Sequence, residues 1–227
     1  MTTRAKYRER LPQLDDGLFL TDGRLETTLV FHDGFDLPCF AAFVLLDSER
    51  GRKALREYFD RYVPMAIAAG TGFVLESPTW RANPDWGAKV GYSLEALARN
   101  NRAAIEFLLE LRDRYETPAS PIVVSGAIGP RGDGYDPGTV MSAGEAAAYH
   151  SFQMGVFRVA GADLVSAFTM TNSNEAQGIV LAAPRAQTCL ASFPSRSRPM
   201  GASPREKRWQ RRSKASMPRR AEARPIT

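Results

Sequence analysis

Four apolar runs recur along the first three quarters of the chain: GLFLTDG from Gly17, TGFVLESPTW from Thr71, PIVVSGAIGP from Pro121 and ADLVSAFTM from Ala162. Each is short enough to be a strand, and each ends in polar or glycine-rich residues. Helical patterns separate them. Ser48 can cap a helix to Ala68 that carries Leu55, Phe59, Tyr62 and Ala66 on one face, with Pro64 expected to kink it and Gly70 to close it. From Ser93 to Tyr115 the residues Leu94, Leu97, Ala98, Ile105, Leu108 and Leu109 are spaced for one buried stripe. Ser142 and Glu145 form a capping box opening a third helix to Ala160, and a fourth is expected from Asn174 to Ala183. Strand and helix alternating at a pitch of about 40 to 50 residues predict a parallel sheet with helices packed outside it. An open doubly wound sheet and a (β/α)8 barrel both satisfy this pattern, and both bind ligands at the carboxyl ends of their strands.

The strand ends therefore supply the candidate site. They hold Asp22, Glu26, Thr27 and Thr28 after the first run, and Glu76, Thr79, Trp80, Arg81 and Asn83 after the second. The stretch Gly126–Tyr135 follows the third, and Thr169–Asn172 the fourth. The loop GAIGPRGDGY is neither a dinucleotide fingerprint nor a phosphate loop, and reads as glycine-rich backbone that lets a small ligand approach. His32 and His150 have no partner at metal-ligand spacing, so structural roles are expected.

Composition bounds the rest. Hydrophobic residues make up 44% of 227, enough for a buried core, and no apolar run reaches the length of a membrane span. The N-terminus lacks the apolar region of a signal peptide, so a cytoplasmic location is expected. Cys39 and Cys189, far apart in the sequence, are expected to be free thiols. Charge is divided unevenly: Pro184–Thr227 holds 12 Lys or Arg against 2 Asp or Glu, whereas residues 1–183 hold 18 against 23. That basic, proline-broken stretch could bind nucleic acid or another acidic partner, but Trp209 is its one tryptophan and it lacks interleaved aromatic residues.

Taken in order, FLTDGRLETTL, AAGTGFVLESPTWRANPDW, VVSGAIGPRGDGY and AGADLVSAFTMTNSNEAQGI resemble the homocysteine S-methyltransferase family over residues 17–183. The resemblance implies a (β/α)8 barrel of which these residues form the first four βα units. It also implies a zinc ion held by three cysteine thiolates from later strands, which binds the sulfur of homocysteine for methylation by a donor such as S-methylmethionine or a methylated cofactor. A small thiol and a methyl donor are the partners implied. Asp22 matches an acidic residue near the substrate amino group, and the loop from Gly126 is expected to line the same pocket. The substrate-binding candidates are Asp22, Glu26, Thr28, Glu76, Thr79, Trp80, Asn83, Gly126 and Thr169, with no catalytic residue assigned.

Two departures bear on substrate. Thr28 and Phe168 stand where many members carry carboxylates expected to touch it, which leaves Glu26 and Glu76 to carry a displaced charge. Neither Cys39 nor Cys189 matches a zinc ligand, so no zinc is expected in this chain. Residues 1–16 read as an N-terminal extension and 184–227 as an aberrant, disordered tail. Back-translation of Ser192–Arg220, read two bases later, permits SFTVETDGRLPTGEALAEAIEGVDAAT, a strand, turn and helix of the kind a fifth unit needs. A frameshift near residues 184–188 is the expectation that follows. With it go loss of activity and self-association through uncovered sheet edges.

Overall fold

The computed structural model describes residues 5–15, 17–136, 138–186 and 189–192, with side chains up to residue 183. Its centre is a parallel sheet in the order β1-β2-β3-β4-β5: β1 Phe19–Thr21, β2 Gly72–Glu76, β3 Ile122–Ile128, β4 Leu164–Ala167 and β5 Cys189–Ser192. The four expected strands are present. β5 lies inside the stretch assigned to the tail and pairs with β4 from Leu164 opposite Cys189 to Ala167 opposite Ser192. The parallel pairing thus continues past residue 183, as far as Ser192. The described residues fall within one compact unit, Met1–Pro194, while Ser195–Thr227, on which the disordered-tail expectation falls, lies outside the described residues.

The main helices are α1 Leu25–Phe31, α2 Glu49–Ala68, α3 Pro84–Lys89, α4 Leu94–Tyr115, α5 Ala143–Ala160 and α6 Ser173–Ala186. Their starts follow the sequence closely. Ser48 and Ser93 accept hydrogen bonds from Gly51 N and Ala96 N, and Ser142 with Glu145 completes a capping box, so orphan N–H groups of α2, α4 and α5 are satisfied. α2 runs through Pro64 without ending. Leu94, expected in the buried stripe of α4, is 58% exposed because the stripe begins one turn later, at Leu97. α1 and α3 replace what the sequence reads as loop.

Period two along the strands separates the sheet's faces. Phe73, Leu75, Val124 and Val165 join a core with Leu55 and Phe59 of α2, Ile105 and Leu108 of α4, and Met154 and Phe157 of α5. Fully burying one such side chain contributes roughly 1.5–3 kcal/mol, so this layer dominates stability. The opposite face carries Phe19, Val74, Val123 and Leu164, which pack with Tyr7 and Leu11. The N-terminal segment is therefore part of the fold. Tyr7 N donates to Asp163 Oδ1 at 2.8 Å, and Asp163 also accepts from Val124 N and from Arg112 Nη1.

Candidate functional site at the strand ends

One step beyond Val74 and Val123 on that second face, the apolar layer gives way to polar side chains. Glu76 stands opposite Ser125, and Ser166 opposite Ala127. Ser166 Oγ lies 2.8 Å from Glu76 Oε1 and 2.8 Å from Ser125 Oγ. Burial pushes the Glu76 carboxyl up to about 8, while hydrogen bonds from Ser125 and Ser166 pull the other way. Neither serine was among the candidates, although each interrupts an apolar strand at an inner-face position.

Asp22 and Glu26 stand at the β1 end. Tyr58, buried on α2, donates to Asp22 Oδ2 at 2.8 Å and lies 3.0 Å from Gly23 O, and Tyr62 one turn on reaches Gly23 O at 3.3 Å. Two tyrosines at helical spacing thus hold the Asp22-Gly23 turn. Burial raises Asp22 to about 6 against the pull of Tyr58. It raises Glu26 to about 7, with the Asp22 charge adding and Arg81 opposing. Glu26 and Thr28 lie on α1, not in a loop, and both are partly buried.

The β2 and β3 ends are tied by hydrogen bonds that use up several candidates. Thr79 Oγ1 donates to Ala127 O at 2.8 Å and lies 2.6 Å from Ser77 Oγ. Asn83 caps α3 through Trp86 N and donates to Pro130 O. Both are buried and shape the loop. At Gly126 a Cβ would lie 2.3 Å from Phe157 Cδ2, so this residue permits close packing against α5. Trp80 bridges the site. Its Nε1 donates to Thr169 Oγ1 at 3.0 Å, and a Cβ on Gly129 would lie 2.6 Å from its Cδ1. The Arg81 guanidinium is stacked between Trp80 and Trp86, at 4.1 and 3.7 Å from their ring centroids, and Arg81 also pairs with Asp133.

Behind the rim, His150 Nε2 lies 2.9 Å from Glu175 Oε1, which also accepts from Arg131 N. This pair fastens the β3 loop to α6. A separate groove of about 340 Å³, bordered by Asp47, Arg52, Tyr92 and Asn100, lies between α2 and α4, away from the strand ends. Cys39 is a free, exposed thiol, and among the described residues no three His, Cys, Asp or Glu are grouped to hold a metal ion.

A parallel sheet flanked by helices, with an acidic polar layer at its strand ends, defines a partial (β/α)8-barrel protein. The family model described as Homocysteine S-methyltransferase matches residues 19–213, and the chain belongs to that family. Solved structures similar to it include the homocysteine methyltransferase MmuM from Escherichia coli in its metallated form, with TM-score 0.65 and 21% identity over 82% of this chain and 66% of that one. The oxidised form gives TM-score 0.65 at 19% identity and the apo form 0.57 at 18%, each over 82% of this chain and 64% of the other. The chain thus spans about two thirds of the length of these relatives. Comparison with curated protein sequences gave no match.

Proposed function

We propose that this is a homocysteine S-methyltransferase-like protein whose strand-end site holds a small thiol for methylation, with Asp22, Glu26 and Glu76 as the groups that orient it. The observation carrying this reading is the inner-face layer of Glu76, Ser125 and Ser166 beside the Tyr58-anchored Asp22. In the reaction, the acceptor sulfur forms a bond to the donor's methyl carbon as the donor–methyl bond breaks, and the thiol proton leaves. What these residues contribute is placement: Asp22 is fixed from α2, Glu76 from β3 and β4, and Trp80 with Thr169 borders the mouth.

Zinc of the three-thiolate type does not fit the residues at hand. The 227 residues contain two cysteines, and Cys39 stands exposed in the short 3-10 helix Pro38–Phe40. No step is therefore routed through a metal, and the activity proposed for these residues by themselves is binding without turnover.

The reading predicts that the full chain binds L-homocysteine in calorimetry, and that a chain ending at Pro194 does so equally well. If homocysteine does not bind while a polyanion binds in a salt-sensitive manner that is lost with residues 195–227, the protein is instead a basic-tailed partner of nucleic acid or another acidic molecule. No described helix is long and apolar enough to cross a membrane.

A further inference from the structure

The groove of about 340 Å³ between α2 and α4 has a wall set by the spacing of α4, where Ala96, Arg99, Asn100 and Ala103 share one helical face. The two alanines leave open the space that larger side chains would fill. Asn100 is 4% exposed, yet its Oδ1 has no hydrogen-bond partner. Asp47 sets the orientation of that amide, because its Oδ1 accepts from Asn100 Nδ2 at 2.9 Å while its Oδ2 accepts from the Tyr92 hydroxyl. Turning the amide over would bring an oxygen against a carboxylate, so the unpaired atom is the acceptor. Native structures seldom leave such an atom uncompensated.

Arg52 borders the same groove and brings the opposite charge. Its Nε donates to Leu46 O at 2.7 Å, and among the described residues its guanidinium forms no ion pair. Arg99 is tied to Glu95 in an exposed pair that water screens. These groups decide the charge of the ligand. An anion would meet Arg52 but leave Asn100 Oδ1 unpaired beside the Asp47 carboxylate. A cation would meet Asn100 and Asp47 but leave Arg52 without a partner. A zwitterion satisfies both ends.

We infer that this groove is a second small-molecule site, which takes an apolar α-amino acid through its ammonium group at Asn100 Oδ1 and Asp47 and its carboxylate at Arg52. A primary ammonium carries three donors, enough for both acceptors, and a guanidinium offers a carboxylate parallel N–H groups. Leu46, Ala96 and Ala103 supply apolar surface for the side chain. The site stands apart from the strand ends and does not depend on the thiol-binding reading.

The test follows the Asn100 side-chain amide signals by NMR in the nitrogen-labelled full chain at neutral pH, assigned by their absence in Asn100→Asp. The probes are L-leucine, N-acetyl-L-leucine, which lacks the ammonium, and L-leucinamide, which lacks the carboxylate. Expected is a saturable shift with L-leucine and an affinity about tenfold or more weaker for each blocked form, the scale of one charge-assisted hydrogen bond. Arg52→Met should weaken L-leucine by about tenfold or more and leave L-leucinamide unchanged. Ala103→Leu, which fills the groove from a partly exposed position and keeps every polar group, should abolish the shift in a chain whose remaining signals show it folded. Glu76→Gln should leave L-leucine binding as it is. Asn100 signals indifferent to L-leucine up to its solubility overturn the inference, as does an equal response to all three probes. So does an L-leucine response unchanged by either Arg52→Met or Ala103→Leu. A response lost in Glu76→Gln but kept in Ala103→Leu would place the amino acid at the strand ends and overturn it as well.

Discussion

Trp80 and Thr169 join the ends of β2 and β4 across the intervening β3, with the indole N–H donating to the threonine hydroxyl at 3.0 Å. Thr169 adopts φ +54°, a left-handed conformation that a β-branched residue rarely takes, and it stands where the fourth strand opens into the mouth of the site. The contact therefore holds strained backbone at the site's edge. Trp80→Phe, which keeps the ring and removes the donor, should cost about 0.5–1.5 kcal/mol in urea unfolding. Gly129→Ala should cost more, about 1–3 kcal/mol, because the new methyl meets the Trp80 carbonyl oxygen at 2.3 Å.

The three site carboxyls make stability depend on pH, and the sign is fixed by the direction of their shifts. Asp22, Glu26 and Glu76 titrate at about 6, 7 and 8 in the folded chain, above their ordinary values near 4. The folded chain then holds protons that the unfolded chain has released. This contribution is present in full below about pH 4 and is lost as pH rises toward 8. Chemical unfolding should show this term falling from pH 5 to 8. Glu76→Gln should remove the largest part, on the order of 4 kcal/mol at pH 8. A stability difference between Glu76→Gln and the parent chain that is the same at pH 5 and 8 would contradict the assignment.

Beneath the strands, Asp163 and Arg112 form a buried pair at 2.8 Å, with side chains 0% and 8% exposed. Removing one partner strands the other charge out of water, so Arg112→Met should destabilise by about 3–5 kcal/mol. Tyr7 and Leu11 cover the same end of the sheet. Deleting residues 1–11 should lower the unfolding midpoint as well, which is the measurement that separates a folded segment from a passive extension.

Among the described residues β1 is the first strand in the sheet order and pairs with β2 alone, and Leu14 and Leu18 near it are 75% and 68% exposed. A free edge beside apolar side chains favours pairing between copies. Light scattering should show self-association at micromolar concentration, and Leu18→Lys should shift it toward monomer. A monomeric parent chain would remove this proposal.

Much of the fold was legible because its signals are local and periodic. Ser48, Ser93 and the Ser142–Glu145 box place helix starts without tertiary information, and the four apolar runs mark strands. α1 was missed because its N-cap is Arg24, in left-handed conformation and without a capping side chain. α3 carries a readable signal, Asn83 followed by Pro84, a capping residue ahead of a proline in the first turn. β5 is four residues long within a basic stretch whose composition obscures it. In the site, Asp22, Glu26 and Glu76 could be named from strand ends, whereas Ser125, Ser166 and Tyr58 could not, since only the register and the helix packing bring them to the carboxylates.

The residues before Pro194 contain two cysteines, so the chain should bind no stoichiometric zinc when metal content is measured after dialysis. One zinc per chain, abolished by thiol alkylation, would place a metal site where none is proposed.

A crystal structure of the full chain with L-homocysteine tests the central claim most directly. The account predicts the ligand at the carboxyl ends of β1 to β4, beside Asp22, Glu26 and Glu76. Ligand bound instead in the groove between α2 and α4, or a strand-end site left empty at saturating concentration, would contradict it.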